Sequence, residues 1–324
     1  MQKICVNMEY LILILSLAGI VLGADFLVKG AVVVARKCRV SSFVIGAVIV
    51  GIGTSLPELV VSTVGAIGGN SEVAIGNVVG SNIFNVFAIL GLTALFFPIA
   101  VSRENMKFEI PFCIAVSILL MLLVYNFFIV GEPRLGRWDG AALLLVFTSF
   151  MWISLRRGKS SAATVGESVE EENKSLWFAA FSILGGLAAL IVSSNFFVDE
   201  AVAIARKLGV SDAFISITLL ACGTSLPELA ASVTAAVKKD TDMALGNIIG
   251  SNIFNATMIL GTASLITPLT TGKIGLVDYG AMILAAVLPM IFGIRGKITR
   301  FEGLLMLLCY AAYTWYIVTY VMAV

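Results

Sequence analysis

The sequence GTSLPELVVSTVGAIGGNSEVAIGNVVGSNIFN, residues 53–85, returns as GTSLPELAASVTAAVKKDTDMALGNIIGSNIFN at residues 223–255, shifted by 170 residues without a gap. Around these two copies, 31 of the 66 positions from 26 to 91 are identical to those from 196 to 261. Identity over such a length indicates an internal duplication rather than a chance match of short motifs. The chain is therefore expected to consist of two related halves.

Each copy of the motif contains one carboxylate within apolar sequence, Glu58 in the first copy and Glu228 in the second. Burying a charge in the middle of a membrane costs roughly 2.5–3.5 kcal/mol or more. Two such charges in corresponding places are unfavourable unless something neutralises them. The duplication therefore predicts a cation that binds between the halves.

The composition predicts an integral protein of the cell membrane, with the lipid bilayer around it. Of 324 residues, 59% are hydrophobic and 13% are charged, and the mean hydropathy is +1.03, well above soluble domains. A helix needs ~20 residues to cross a bilayer. Ten apolar stretches of spanning length are predicted, at residues 9–35, 41–68, 72–98, 109–130, 138–155, 176–205, 211–237, 242–267, 275–293 and 302–323.

The expected fold is an all-α membrane protein with ten transmembrane helices in two five-helix repeats. The repeats span residues 1–155 and 176–324, and a polar cytoplasmic linker joins them at 156–175. Because five is odd, the second repeat enters the membrane from the opposite side, so the two repeats are inverted. The positive-inside rule predicts that both termini are extracellular, since fourteen of the 21 basic residues then face the cytoplasm.

The composition also narrows the chemistry. The chain has no histidine, which excludes imidazole metal sites and Ser-His catalysis. No loop offers a nucleophile with a suitable base, so enzymatic activity is not expected. No cofactor, no nucleic-acid partner and no obligate protein partner are expected either.

The motif predicts that the second and the seventh helix are broken. Pro57 and Pro227 lack a backbone N–H, and each ring disturbs the carbonyl four residues earlier. In hydrocarbon, carbonyls freed in this way are tolerated where they line a polar cavity. The candidate main-chain ligands are Gly51, Gly53, Thr54, Ala221, Gly223 and Thr224.

Downstream of each glutamate, polar residues recur every four positions along one helix face. They are Asn77, Ser81 and Asn85 in the first copy and Asn247, Ser251 and Asn255 in the second. Alone, an intramembrane Asn or Ser usually joins neighbouring helices, and glycines four residues apart usually allow close packing. Duplicated and combined with a glutamate that follows Thr and Pro, the stripes predict a line of oxygen ligands.

Ligand chemistry points to Ca2+, because oxygen-only sites with two carboxylates suit this ion and softer metals prefer the imidazoles and clustered thiolates that are missing here. Two ionised carboxylates ~5 Å apart would repel each other by roughly 3 kcal/mol at an effective dielectric of 20. One Ca2+, or two or more monovalent ions, removes that repulsion. A passive cation channel and a purely structural membrane protein are alternatives, but inverted repeats with broken helices favour a transporter.

GTSLPE followed by GNxxGSNIFN, duplicated in inverted halves, resembles the α-repeats of the cation/Ca2+ exchanger superfamily and is most similar to prokaryotic Na+/Ca2+ exchangers. The resemblance implies a secondary antiporter that exchanges Ca2+ for Na+ by alternating access. Helices 2, 3, 7 and 8 would hold the site, and helices 1 and 6 would move past it. A site of charge −2 is neutral with one Ca2+ and +1 with three Na+, so exchange at that ratio is electrogenic.

The same resemblance assigns ligands and leaves an alternative open. Glu58 and Glu228 would hold Ca2+ together with the carbonyls of Thr54 and Thr224. Flanking Na+ sites would use Ser55, Ser81, Ser225 and Ser251 with carbonyls near Gly51 and Ala221, and Asn85 and Asn255 would border the centre. Potassium-dependent relatives carry Asp at the position of Asn255, which weakens a K+ requirement. A H+/Ca2+ antiporter, or K+-assisted exchange, is the alternative function.

Overall fold

The computed structural model describes residues 2–125, 133–160, 174–208 and 223–321. Within these ranges the chain forms mostly apolar helices, joined by short loops that contain four two-residue strands. In chain order the elements are α1 (Gln2–Cys38), α2 (Ser42–Thr54), α3 (Leu56–Ile67), α4 (Ser71–Phe96), β1 (Ile99–Ala100), α5 (Arg103–Lys107), α6 (Glu109–Tyr125), β2 (Arg134–Leu135), α7 (Arg137–Ser160), α8 (Leu176–Lys207), α9 (Leu226–Val237), α10 (Thr241–Ile266), β3 (Leu269–Thr270), α11 (Leu276–Gly293), β4 (Lys297–Ile298) and α12 (Arg300–Tyr316).

The helices are those of a multi-pass membrane protein. In the described residues, eight helical segments are long and apolar enough to cross a membrane, and α2 and α3 together make a ninth. Large apolar side chains such as Trp177, Phe181 and Leu184 of α8 face outward, as expected where lipid covers a helix. The first half of the seventh predicted helix falls within residues 209–222, outside the described ranges. The all-helical membrane class is confirmed, and the inverted ten-helix arrangement stays a prediction.

The second spanning segment is broken at the motif, as predicted. α2 ends at Thr54, α3 begins at Leu56, and the two helices are bent by 46° relative to each other. Ser55 between them has φ −83° and ψ 10°, outside helical geometry. Pro57 lies in the first turn of α3, where a helix needs no N–H donor. Pro227 holds the same place in the first turn of α9.

Polar side chains define where several helices begin. Ser41, Ser102 and Ser175 each accept a hydrogen bond from the backbone N–H three residues later. Asp240 does the same at the start of α10, and Thr299 forms a capping box with Glu302 at the start of α12. These caps satisfy N–H groups that the first helical turn leaves unpaired.

The second copy of the repeated sequence contains two glycines four residues apart, Gly246 and Gly250, which pack against α2 with the backbones nearly touching. A Cβ atom on Gly250 would lie 2.6 Å from the carbonyl oxygen of Ala47, and one on Gly246 would overlap the carbonyl oxygen of Phe43. The predicted close approach is confirmed for this copy. For the first copy, a Cβ on Gly76 would come no nearer than 3.7 Å to a described residue, and one on Gly80 would meet none within 4 Å.

Two glycine substitutions should therefore change stability in opposite directions. Gly250→Ala is expected to lower the melting temperature, because the new methyl group meets backbone that cannot rotate away, and overpacking of this kind costs about 1–3 kcal/mol. Gly280→Ala in α11 meets no described atom within 4 Å and is expected to raise it, since Ala is favoured over Gly in a helix by up to about 1 kcal/mol. Thermal unfolding of both variants in the same detergent measures the difference; equal shifts would contradict the packing seen here.

The four short strands join the two halves, and the sequence did not predict them. β1 pairs with β4 and β2 with β3, both antiparallel, with Ile99 opposite Ile298 and Leu135 opposite Leu269. All four of these side chains are fully buried. Each pair therefore links a loop of the first half to a loop of the second half through an apolar contact.

Candidate cation site between the two halves

The structure brings the two motif glutamates together in the interior. Glu58 lies in the first turn of α3 and Glu228 in the first turn of α9, and both side chains are 0% exposed. Ser55 Oγ donates a hydrogen bond of 2.8 Å to Glu228 Oε1, and Ser225 Oγ donates one of 2.9 Å to Glu58 Oε1. The serine before each helix thus holds the carboxylate of the other half.

The position of each glutamate at the start of a helix explains why a carboxylate is tolerated in the interior. Each glutamate lies at the amino-terminal end of a 12-residue helix, where backbone N–H groups lack helical partners and the helix dipole is positive. An unbroken helix would place the same side chain in mid-helix, without either contribution. Pro57 and Pro227 favour a helix start at these positions, and so place each carboxylate near the positive end of a helix dipole.

Several buried oxygens around the glutamates have no hydrogen-bond partner among the described residues. They are Glu58 Oε2, Glu228 Oε2, Asn85 Oδ1, Asn255 Oδ1 and Ser81 Oγ. α9, which carries Glu228, packs against the π-helical turn that begins at Asn85, and α3, which carries Glu58, packs against the one that begins at Asn255. Unpaired buried oxygens are costly. These oxygens lie on α3, α4, α9 and α10 where the four helices pack together, a region called the junction below. Their concentration there indicates that a ligand pairs with them.

Asn85 and Asn255 each lie where an α-helix changes to a π-helical stretch. α4 and α10 each contain a π-helical stretch, which begins at Asn85 in one and at Asn255 in the other. Such turns are rare and often mark functional sites in helices. The same change at equivalent positions supports a shared role for the two amides.

The predicted serine and carbonyl ligands are partly engaged with each other. Ser251 Oγ donates to the carbonyl oxygen of Gly51 at 3.2 Å, so these two groups lie together as expected. Thr54 Oγ1 lies 3.0 Å from the carbonyl oxygen of Val50 and 3.3 Å from Asn247 Oδ1. Ala221, the counterpart of Gly51, lies outside the described residues.

Asn77 and Asn247 hydrogen-bond to α3 and α9, the helices that carry the two glutamates. Asn77 Nδ2 donates to the backbone oxygen of Glu58 at 3.2 Å and to Ser62 Oγ at 3.0 Å. Asn247 Nδ2 makes the equivalent bonds to the backbone oxygen of Glu228 at 3.2 Å and to Ser232 Oγ at 2.8 Å. These bonds fix the position of each glutamate backbone on the neighbouring helix.

Four polar residues with defined contacts were missed in the sequence analysis. Ser62 and Ser232 accept the hydrogen bonds just described, and Asn82 and Asn252 hydrogen-bond each other across the two halves. The available signal was identity between the copies, because each of these residues is the same in both. None of the four belongs to the stripes with four-residue spacing, so that spacing did not predict them.

In the described residues, no group of three or more His, Cys, Asp or Glu side chains could hold a metal ion. A cation bound at this junction would therefore depend on two carboxylates and on neutral amide, hydroxyl and carbonyl oxygens. Such a donor set fits hard cations such as Ca2+ and Na+.

The surroundings of the two glutamates are not symmetric. α1 packs along α9, and Lys238 at the end of α9 pairs with Asp25 of α1 at 2.7 Å. In α3, by contrast, Val60 is 59% exposed and Val64 is 62% exposed. Their counterparts in α9, Ala230 and Thr234, are half-buried. Corresponding positions of α3 and α9 thus differ in how far other helices cover them.

A helical membrane protein whose buried centre offers two carboxylates and several unpaired oxygens has the features of a cation transporter. The chain matches the family described as Sodium/calcium exchanger protein over residues 8–156 and 178–319. It belongs to that family, and so to the cation/Ca2+ antiporters. The predicted resemblance is confirmed.

Full-length relatives agree with this assignment. The chain is 36% identical to the putative antiporter CaxA of Alkalimonas amylolytica, covering 93% of this chain and 96% of CaxA. It is 34% identical to the sodium/calcium exchanger MaX1 of Methanosarcina acetivorans, covering 95% and 98%. The structure of the sodium-calcium exchanger NCX_Mj soaked with 10 mM Na+ and zero Ca2+ matches with a TM-score of 0.82 at 32% identity, covering 97% of this chain and 99% of that one.

Proposed function

We propose that this protein exchanges Ca2+ for Na+ across the cell membrane, with both ions competing for the two glutamates. The observation that carries the proposal is the reciprocal pairing of Ser55 with Glu228 and of Ser225 with Glu58. It brings two fully buried carboxylates together, and the second oxygen of each is unpaired among the described residues. A cation of charge +2 neutralises the pair.

In this proposal Ca2+ binds the carboxylates of Glu58 and Glu228 with the carbonyls of Thr54 and Thr224. Na+ ions occupy the flanks, where hydroxyls adjoin main-chain oxygens. The flanking ligands are Ser55, Ser81, Ser225 and Ser251 with the carbonyls of Gly51 and Ala221. Asn85 and Asn255 border the centre and offer their unpaired amide oxygens.

Coupling follows from charge. The carboxylate pair with one Ca2+ is neutral, and with three Na+ it carries +1, so a 3:1 exchange moves net charge. Ca2+ and Na+ both need the same two carboxylates, and in a poorly hydrated pocket, where charge interactions are strong, two neighbouring cations that share these ligands repel each other. Each ion therefore displaces the other, as antiport requires.

The proposed architecture is two inverted five-helix repeats, residues 1–155 and 176–324, with a cytoplasmic linker at 156–175 and both termini outside. The asymmetry around the site supports alternating access. α1 covers α9 and is joined to it by the Asp25–Lys238 ion pair, while Val60 and Val64 of α3 are exposed. An exchange of these two arrangements would move access from one membrane face to the other.

Transport into proteoliposomes tests the proposal. Vesicles loaded with Na+ and diluted into K+-free, Na+-free medium should take up 45Ca2+, and dissipation of the Na+ gradient should stop uptake. Net charge leaves the vesicle during 3:1 exchange, so valinomycin with K+ should then accelerate uptake by compensating the charge.

The same assay separates the alternatives. Uptake that ignores the Na+ gradient but follows a pH gradient would select H+/Ca2+ antiport, and uptake that requires K+ in the absence of ionophore would select K+-assisted exchange. Unitary currents in planar bilayers would indicate a channel and contradict antiport.

A further inference from the structure

Four buried asparagines join α4 to α10 beside the proposed site; we call them the asparagine clasp. Asn82 Nδ2 donates to the backbone oxygen of Asn252 at 3.0 Å, and Asn252 Nδ2 donates to the backbone oxygen of Asn82 at 3.1 Å. Asn85 Nδ2 donates to Asn252 Oδ1 at 3.0 Å, and Asn255 Nδ2 donates to Asn82 Oδ1 at 3.1 Å. Each half contributes two members.

This pattern determines which way every amide points. An asparagine side chain is ambiguous by a half-turn, and its orientation is decided by hydrogen-bond partners. A backbone carbonyl only accepts, so Asn82 and Asn252 must direct their NH2 groups toward it. Their Oδ1 atoms can then only accept, which draws the NH2 groups of Asn85 and Asn255.

The outcome is that Asn85 and Asn255 present oxygen, and not NH2, to the junction. Both side chains are buried, at 1% and 0% exposure, and neither Oδ1 has a hydrogen-bond partner among the described residues. A flipped amide would present an NH2 donor in place of that oxygen and would repel a cation. The asparagine clasp therefore orients two amides, each of which could present either oxygen or NH2, so that both present oxygen.

We propose that Asn82 and Asn252 are positioning residues that set the cation affinity of the central amides. The inference rests on the proposed function, because it assumes that a cation occupies the junction. It adds two residues that need not touch the ion. Asn82 and Asn252 act by fixing the orientation of Asn255 and Asn85, respectively.

Asn252→Ala tests the inference, because it removes the acceptor that orients Asn85. Loss of a group that orients a metal ligand typically lowers metal affinity about 10- to 100-fold, and we expect a decrease of that size in 45Ca2+ equilibrium binding to the detergent-solubilised protein. Thr93→Val is the matched control. It removes a buried hydrogen bond of α4 to the carbonyl oxygen of Ile89, and it should lower stability without changing Ca2+ affinity.

A second background separates positioning from a general structural effect. In Asn85→Asp, residue 85 presents an oxygen in either orientation and no longer needs the clasp. Adding Asn252→Ala to this background should therefore change Ca2+ affinity far less than it does in the wild type. An equal loss of affinity in both backgrounds would overturn the inference.

Two further results would also overturn it. One is an unchanged Ca2+ affinity of Asn252→Ala in the wild-type background, and the other is a wild-type protein that binds no Ca2+. The proposed Na+ coupling is judged separately. Wild-type protein that binds 45Ca2+ but shows no Na+-driven uptake contradicts the coupling and leaves the positioning inference to the affinity measurements.

Discussion

Glu58→Gln is expected to weaken Ca2+ binding by about 2–5 kcal/mol, roughly 30-fold or more, and to end Na+-driven Ca2+ uptake. Glutamine has the same shape and can still accept the hydrogen bond from Ser225, which reaches Glu58 Oε1 at 2.9 Å. It lacks the charge, and its NH2 group replaces the unpaired Oε2 with a donor. Glu228→Gln should have the same effect, since Glu228 bonds Ser55 in the same way.

The same substitution should make the ion-free protein more stable. Two buried carboxylates repel each other without a cation, and one neutral member relieves that repulsion. The expected signature is a higher melting temperature without ions and a much smaller rise on adding Ca2+. Asp199→Asn removes an exposed carboxylate of α8 and should leave both values unchanged. A normal Ca2+-induced shift in Glu58→Gln would show that the pair does not hold the ion.

Asn255→Asp is expected to act in the opposite direction on the ion-free protein. Asn255 is fully buried, and a third carboxylate beside Glu58 and Glu228 is an uncompensated buried charge, which costs about 3–5 kcal/mol. It also replaces the donor that bonds Asn82 Oδ1 with a second acceptor. The melting temperature without ions should therefore fall.

With Ca2+ present, the Asn255→Asp site carries −1 and should recruit one more monovalent cation. The expected result is Ca2+ uptake that becomes dependent on external Na+ or K+, measured in the proteoliposome assay at fixed Ca2+. Asn255→Leu is the control, because it removes the amide without adding charge. If Asp and Leu at this position give the same ion-free stability and the same cation dependence, charge at the centre does not govern binding.

The broken helix could be predicted from the sequence because the effect of a proline on a helix is local. The approach of the two glutamates could be predicted because they occupy corresponding positions in duplicated halves. A helix cannot continue normally at Pro57, and corresponding residues in two packed repeats have corresponding environments. The reciprocal bonds of Ser55 and Ser225 could not be predicted. They depend on how α3 and α9 approach each other, which no local spacing determines.

The polar stripe of α4 shows where spacing misleads. Asn77, Ser81 and Asn85 recur every four residues, but an α-helix with 3.6 residues per turn rotates about 40° between such positions. Over two steps the stripe turns far enough that Asn77 bonds Ser62 and the backbone of Glu58, while Asn85 bonds Asn252 of α10. One end of the stripe therefore braces a helix, and the other presents an oxygen.

The four short strands could not be predicted from the sequence for a different reason. Two residues are too few to show an alternating pattern, and their partners lie far away in the chain, as with Ile99 and Ile298. Their role is visible only once the helices have been placed.

From the pairing of β1 with β4 and of β2 with β3 we expect that neither half folds stably alone. Within the described residues, every strand has its partner in the other half, and a half alone would leave strand edges unpaired. Connection in one polypeptide keeps the complementary half at a high effective concentration. The duplicated sequence thus encodes one mutually dependent assembly and not two domains in tandem.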